Sequence, residues 1–210
     1  MAYGTEILSS DGRLWMSPQV MPLIYQFSTT VSGFDLTNAK TINTNIPTDR
    51  GCIAFTQCLS DPANGQRSVL TYMSQANGAW QINVKGNQNV SVKIYVFANV
   101  IVPSSRYGIQ YFSASGTEVY NANCIPLQIY RMPVQFGIWS ATQFSSVAVL
   151  ATVCGGQEMR LGQQPADAYV TPCAFNGQVT THPILIVPTA SPKSPYMWGD
   201  AVYINTALYN

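Results

Sequence analysis

The side chains with the richest chemistry in this chain belong to one histidine and five cysteines. His182 precedes Pro183 at the edge of an apolar strand, and the cysteines stand at positions 52, 58, 124, 154 and 173. A cysteine nucleophile needs a histidine base within hydrogen-bond reach and a third group that orients the base. No motif around any cysteine supplies these groups, and no Cys-x-x-Cys pair predicts a zinc site. We expect small, reduced, buried cysteines, and a disulfide between two of them stays open.

Nine carboxylates offer a second route to chemistry, because glycoside hydrolysis needs two of them facing each other across a cleft. Most lie in or beside predicted turns: Asp11, Asp61 and Asp200 neighbour Gly or Pro, as turn-forming aspartates do. No loop has the closely spaced acids that calcium prefers, and no Gly-rich phosphate loop occurs. We therefore expect no catalytic, cofactor-binding or metal-binding residues and no enzymatic activity.

Aromatic residues are the one group that could carry recognition, with 4 Trp, 12 Tyr and 8 Phe in the chain. Exposed rings stack on sugars or anchor protein contacts, whereas alternate aromatic residues of a strand fill a core. Most of these aromatics are expected in the core. The candidate interface or ligand aromatics are Trp15, Trp80, Tyr196 and Trp198, and the last two lie in a Pro-containing loop over residues 189–200.

An internal repeat organises the chain. Residues 3–24 are similar to residues 107–128, and each matched residue recurs 104 positions further on. The identical pairs are Tyr3/Tyr107, Gly4/Gly108, Ser9/Ser113, Gly12/Gly116, Pro22/Pro126 and Leu23/Leu127. Because this shift is almost half of the chain, the sequence predicts two tandem domains related by duplication, residues 1–103 and residues 104–210. A short polar stretch opened by Pro103 joins them.

Turn residues between apolar runs predict antiparallel hairpins at Asp11-Gly12, Asn77-Gly78 and Ser115-Gly116. Cys154-Gly155-Gly156-Gln157 is also interpreted as a hairpin turn, and short helical turns are expected near 61–65 and 162–166. No segment keeps the apolar stripe of a helix, so we predict an all-β fold of two antiparallel β-sandwich-like domains. Further strands are expected at residues 23–27, 53–58, 90–98, 127–131, 146–153, 168–171, 184–187 and 201–205.

Charged residues are scarce, since 9% of the chain is Asp, Glu, Lys or Arg, against about 25% in ordinary globular proteins. Ser, Thr, Asn and Gln supply 64 of the 210 residues. Such a surface is buried against another subunit at little desolvation cost, because it strands no unpaired charge. The ten basic residues are spread along the chain, which argues against nucleic-acid binding. No apolar run has the roughly 20 residues of a membrane span, and the N-terminus lacks a secretion signal, so we expect no membrane insertion.

The repeated element resembles a group of small proteins of tailed bacteriophages. These proteins begin with a similar Tyr-Gly…Gly hairpin, and their domains often end on an apolar Tyr-Val-Phe strand; here that strand is Ile94-Tyr95-Val96-Phe97-Ala98. The resemblance covers about 20 residues at the start of each half and one terminal strand. The second half departs from it, because its last strand reads Ala-Val-Tyr-Ile-Asn and lacks the Phe.

The resemblance implies a structural component of a bacteriophage virion, at the tail, the tail tip or the baseplate, assembled in the host cytoplasm without a cofactor. Its partners would be other virion proteins and copies of itself. Two alternatives stay open: a capsid decoration protein, and a carbohydrate- or receptor-binding module that contacts a host surface glycan or receptor through exposed aromatics. The low charge and the duplication favour an assembly role over an enzyme.

Overall fold

The structure is a computed structural model. It describes residues 7–8, 14–16, 21–35, 37–60, 69–86, 90–103, 108–113, 115–135, 137–161, 164–188, 196–197 and 200–210. Of these, residues 7–8, 14–16, 157–161, 164–169, 182–188 and 196–197 are described by their backbone alone.

Strands dominate both halves, as the frequent β-branched and aromatic residues predict. The first half contains β1 (Ile7–Leu8), β2 (Leu14–Met16), β3 (Ile24–Val31), β4 (Lys40–Pro47), β5 (Cys52–Cys58), β6 (Val69–Ala76), β7 (Ala79–Gly86) and β8 (Val92–Ala98). The second half contains β9 (Gln110–Phe112), β10 (Glu118–Asn121), β11 (Tyr130–Met132), β12 (Ser140–Ala141), β13 (Val147–Leu150), β14 (Gly155–Leu161), β15 (Gln164–Phe175), β16 (Gln178–Pro188), β17 (Tyr196–Met197) and β18 (Ala201–Asn205). A 3-10 turn, Thr206–Leu208, follows β18, and no α-helix occurs among the described residues.

These strands form five antiparallel sheets. The central sheet has the order β11-β18-β13-β5-β8-β3, the first outer sheet β4-β7-β6 and the second outer sheet β12-β16-β15-β14-β17. The first hairpin (β1-β2) and the second hairpin (β9-β10) are separate two-stranded sheets. The all-β fold predicted from the sequence is therefore confirmed.

The central sheet takes three strands from each half. The halves meet where β13 pairs with β5, through Val149 with Thr56 and Leu150 with Phe55. At the β3 edge, the Tyr25 amide donates to the Ile125 carbonyl at 2.8 Å. Ile125 lies five residues before the start of β11, the strand at the opposite edge of the sheet. The segment 125–132 thus bonds to the β3 side through residues 125 and 127 and to β18 through residues 130–132, so the central sheet closes on itself.

Alternation along the central strands divides the interior into three cores, because successive side chains point to opposite faces. On β8, Ile94 and Val96 face the first outer sheet and belong to the first core, which also includes Cys58 of β5 and Cys173 of β15. Tyr95 and Phe97 belong to the shared core between the halves. The shared core consists of Phe55, Tyr95, Phe97, Ala148, Ile204 and Tyr209. The second core lies between the central sheet and the second outer sheet and consists of Val147, Val149, Ala174, Val179, Ala201 and Tyr203.

The two halves use their strands in the same order. Each half starts with a hairpin, and its central-sheet strands then follow the order β3-β8-β5 or β11-β18-β13. The outer sheets match in the same way, as β4-β7-β6 and β12-β16-β15. The second half carries two further strands, β14 and β17. The domain boundary between residues 103 and 104 stays a prediction, and the shared sheet and core join the two halves directly.

The turn residues predicted the hairpin at Asn77-Gly78 correctly, and two other predicted turns are wrong. Asn77 and Gly78 have φ of 52° and 75° and connect β6 to β7, as the two-residue hairpin requires. The turn expected at residues 154–157 is wrong, because Gly155 and Gly156 begin β14 and pair with β15 on one side and β17 on the other. The helical turn near 162–166 is wrong as well, since residues 164–166 begin β15; the turn near 61–65 lies outside the described residues.

Candidate interaction surface

The second hairpin is a two-stranded sheet that stands apart from the three larger sheets. Phe112 faces Glu118 and Tyr111 faces Tyr120, with a bulge between these two pairs. The rings of Tyr111 and Tyr120 lie 6.1 Å apart between centroids, within the range of a favourable aromatic pair. Gly116 closes the turn at φ 79°, a conformation that glycine adopts at no steric cost.

The glycine after the repeated tyrosine has a packing role. Gly108 has φ of 130°, and a Cβ placed there would lie 2.8 Å from the Cβ of Ala122. The Ala122 amide donates to the Ile109 carbonyl at 3.1 Å, so the two chain segments are held at this close distance. Glycine is therefore required here both by the backbone conformation and by the approach of the neighbouring segment.

A buried asparagine fastens the second hairpin to the connection between the halves. Asn121 donates through Nδ2 to the Val102 carbonyl at 2.8 Å and to Glu118 Oε1 at 2.9 Å. Its Oδ1 accepts the Asn123 amide at 2.9 Å, and Asn123 Nδ2 reaches the Pro103 carbonyl at 3.0 Å. Since Asn121 is almost fully buried, these bonds satisfy groups that have no access to water.

Large apolar side chains are exposed on and beside this hairpin. Ile109 is 65% exposed and Phe112 51%, and Ile125 and Ile129 are also exposed. These four are half of the eight large hydrophobic residues that are exposed in the described part of the chain. All four lie within residues 109–129 of the chain. Large exposed apolar side chains of this kind are candidates for protein contacts. We call residues 109, 112, 125 and 129 the hairpin surface.

The hairpin surface lies next to the closure of the central sheet. Ile125 provides the carbonyl that accepts the Tyr25 amide, and the Leu127 amide donates to the Leu23 carbonyl at 2.8 Å. The backbone of this segment is therefore fixed by both halves while the Ile125 side chain faces outward. A rigid backbone lowers the entropic cost of ordering such side chains in a contact.

The first hairpin has the register of the second. Ile7 pairs with Met16 and Leu8 with Leu14, and a shift separates the two pairs. Adding 104 to each number gives the partners observed in the second hairpin, with the shift at the same place. The described strands of the two hairpins thus have the same backbone register; the side chains of β1 and β2 lie outside the described part of the chain.

Of the four candidate aromatics from the sequence, Trp80 is the one whose side chain the structure describes. Trp80 is half-buried, packs against the first core and donates from Nε1 to the Arg50 carbonyl at 2.8 Å. Trp15 lies in β2 and Tyr196 in β17, where their backbones are described, and Trp198 lies outside the described residues. The packing of Trp80 favours a role in the core, and an interface role for these four residues stays a prediction.

The sequence did not single out the hairpin surface. Ile109, Ile125 and Ile129 look like ordinary strand residues, since their exposure depends on which neighbours the fold supplies. The signal available in the sequence was the repeated motif over residues 107–128, whose glycines fix the hairpin that follows Ile109 and precedes Ile125.

Catalytic geometry is not found among the described side chains. His182 lies in β16 opposite Thr171, with its backbone alone described. Asp35 accepts hydrogen bonds from the Asn38 and Thr37 side chains, which hold the pKa of this carboxyl well below its usual range. It therefore acts as the acceptor that orders its own turn. No group of three or more His, Cys, Asp or Glu that could hold a metal occurs within the described ranges.

Charge is sparse on the described surface, where one ion pair occurs, between the exposed neighbours Arg50 and Asp49 at 4.0 Å. No helix in the described ranges has the length and apolarity to cross a bilayer. No protein-family model, curated protein or solved structure matches this chain.

Proposed function

We propose that this chain is a structural component of a bacteriophage virion, located at the tail, the tail tip or the baseplate. It acts through contacts with copies of itself and with other virion proteins. The observation that carries the assembly role is the hairpin surface, in which Ile109, Phe112, Ile125 and Ile129 are exposed on a firmly anchored backbone. Burial of such side chains stabilises an association by about 25 cal/mol for each Å² removed from water.

The scarcity of charge supports the same role. With 9% charged residues and a net charge of +1, copies of the chain repel one another weakly. Ser, Thr, Asn and Gln supply 64 of the 210 residues, and these side chains exchange water for partner hydrogen bonds at less cost than charged groups do. The hairpin surface thus has apolar anchors within a polar, mostly uncharged surface, which is the usual composition of a protein interface.

We also infer that the chain arose by internal duplication. Three observations support this: the repeat at a shift of 104, the equal register of the two hairpins, and the equal strand order of the central and outer sheets. A duplicated chain presents two related hairpins, so each subunit offers two related contacts. Such a chain suits rings or layers in which every subunit has two neighbours.

The contact role is tested by sedimentation velocity of the purified full-length chain over a range of concentrations. The wild type should self-associate, and the double variant Ile109→Ser/Phe112→Ser should remain monomeric with unchanged circular dichroism. Leu208→Ser replaces an exposed residue outside the hairpin surface and should associate like the wild type. A wild type that stays monomeric, or a control that loses association equally, would overturn the role of the hairpin surface.

The location is tested by immunoelectron microscopy of phage particles made in cells that express this chain. An antibody against the chain should label the tail, its tip or the baseplate. Label on the head would overturn the tail location, and particles that lack the chain by mass spectrometry would overturn the virion role itself.

A further inference from the structure

Two cysteines from different halves meet in the first core. Cys58 ends β5 of the first half, and Cys173 lies in β15 of the second. Their Sγ atoms are 3.1 Å apart, and the two residues are 5% and 4% exposed. The strands that carry them come within 8 Å of each other between Cα atoms. These thiols are neighbours that need a shift of about 1 Å to reach the bond length of a disulfide.

The other three cysteines have different surroundings. Cys124 Sγ points to Asn121 Oδ1 at 3.5 Å, and Cys154 Sγ points to the Val170 carbonyl at 3.4 Å. Cys52 lies half-buried at the start of β5, at the opposite end of that strand from Cys58. The geometry therefore selects one pair among the five cysteines, all of which are reduced in the structure.

We propose that Cys58 and Cys173 are the site of an intramolecular disulfide that covalently joins the two halves when a small-molecule disulfide serves as the oxidant. One cysteine thiolate attacks a sulfur of oxidised glutathione, forming a mixed disulfide and releasing one glutathione thiolate. The second cysteine thiolate then attacks the protein sulfur of the mixed disulfide and releases the other glutathione thiolate. The two cysteines lose two electrons, the glutathione disulfide gains them, and the two cysteine protons pass to the two glutathione thiolates.

Burial decides when this exchange takes place. The contact with Cys58 and the surrounding core raise the pKa of Cys173 above its ordinary value, so its thiolate is rare in the folded chain. Exchange therefore occurs during folding or local opening, and core packing then holds the two sulfurs together. In a reducing cytoplasm the pair stays as thiols, and in an oxidising medium the cross-link persists.

The cross-link would connect the two halves covalently and restrict the unfolded chain. The two cysteines are 115 residues apart in the chain, so the disulfide closes a loop larger than half of the protein. Closing a long loop restricts the unfolded chain more than closing a short one does. This inference goes beyond the proposed virion role and does not depend on it.

The test refolds the fully reduced chain in a mixture of reduced and oxidised glutathione, where all five thiols are accessible before folding. Remaining thiols are blocked with N-ethylmaleimide, and the disulfide is assigned by mass spectrometry of unreduced peptides. We expect a Cys58–Cys173 peptide, three blocked thiols, native circular dichroism and a melting temperature roughly 5–15 °C above that of the reduced chain. Cys154→Ala is the matched control, since it removes a buried cysteine and should leave the cross-link intact.

A refolded wild type with native circular dichroism and five blocked thiols would overturn the proposal, as would a disulfide between any other pair. Cys58→Ala should yield four blocked thiols and no rise in melting temperature. If that variant does not fold, the assignment in the wild type and in Cys154→Ala decides the matter.

Discussion

Phe97 offers the sharpest test of how the two halves depend on each other. Its ring is fully buried in the shared core. The ring centroid lies 5.7 Å from those of Tyr25 and Phe55 and 4.8 Å from that of Tyr209. Tyr209 follows the last strand of the second half and donates from its hydroxyl to the Pro126 carbonyl at 3.1 Å. Removal of the Phe97 ring therefore disturbs contacts that belong to both halves.

Phe97→Ala should lower the free energy of unfolding by about 3–5 kcal/mol, the range for removing a fully buried aromatic ring. For a chain of this size each kcal/mol lowers the melting temperature by about 2–4 °C, so we expect a decrease of roughly 6–20 °C. Phe112→Ala makes the same chemical change at a ring that is half-exposed in the second hairpin. That control should change the free energy of unfolding by about 1 kcal/mol or less.

Differential scanning calorimetry of the reduced full-length chain measures this effect. Because the halves share a sheet and a core, one transition should move as a whole, with circular dichroism following the same curve. Two separate transitions, of which Phe97→Ala moves one, would show that the halves unfold independently. A decrease below about 2 °C would show that the ring does not fill the shared core.

Three further predictions concern the second hairpin and a buried thiol. Gly108→Ala places a Cβ 2.8 Å from a neighbouring Cβ at a φ of 130°, so it should lower the free energy of unfolding, measured by urea denaturation, by about 1–3 kcal/mol. Gly116→Ala should lower it less, because its Cβ would meet no atom within 4 Å. Asn121→Ala should lower the free energy of unfolding by about 1–3 kcal/mol in the same measurement, because it removes the hydrogen bond to the Val102 carbonyl. Asn123→Ala should lower it less, because Asn123 is exposed. Burial raises the pKa of Cys154 to about 11, so iodoacetamide at pH 8 should alkylate it at least about tenfold more slowly in the folded chain than in urea. Equal alkylation rates in the folded chain and in urea would contradict the burial of Cys154. The same pKa shift makes the free energy of unfolding fall as the pH rises from 9.0 towards 11, because the unfolded chain ionises this thiol first.

Turn residues and alternation made much of the fold predictable. Asn77-Gly78 and Ser115-Gly116 lie in turns whose positive φ values glycine and asparagine adopt readily, so the sequence located those hairpins. Strands such as β5 and β8 were found because their apolar residues are buried whichever sheet they join. The Gly155-Gly156 segment was misassigned, because its strand forms by pairing with β15 and β17, which are close to it in space.

The sequence by itself determined many of the strands, the turns at Asn77-Gly78 and Ser115-Gly116, and the recurrence of one motif, because these depend on side chains that are neighbours along the chain. The tertiary structure decided which strands pair across the two halves, that the central sheet encloses a shared core, and that Ile109 and Phe112 stay exposed. It also brought Cys58 to Cys173, which are 115 residues apart. Contacts of this range depend on how sheets pack against each other, and local residue spacing carries little information about that packing.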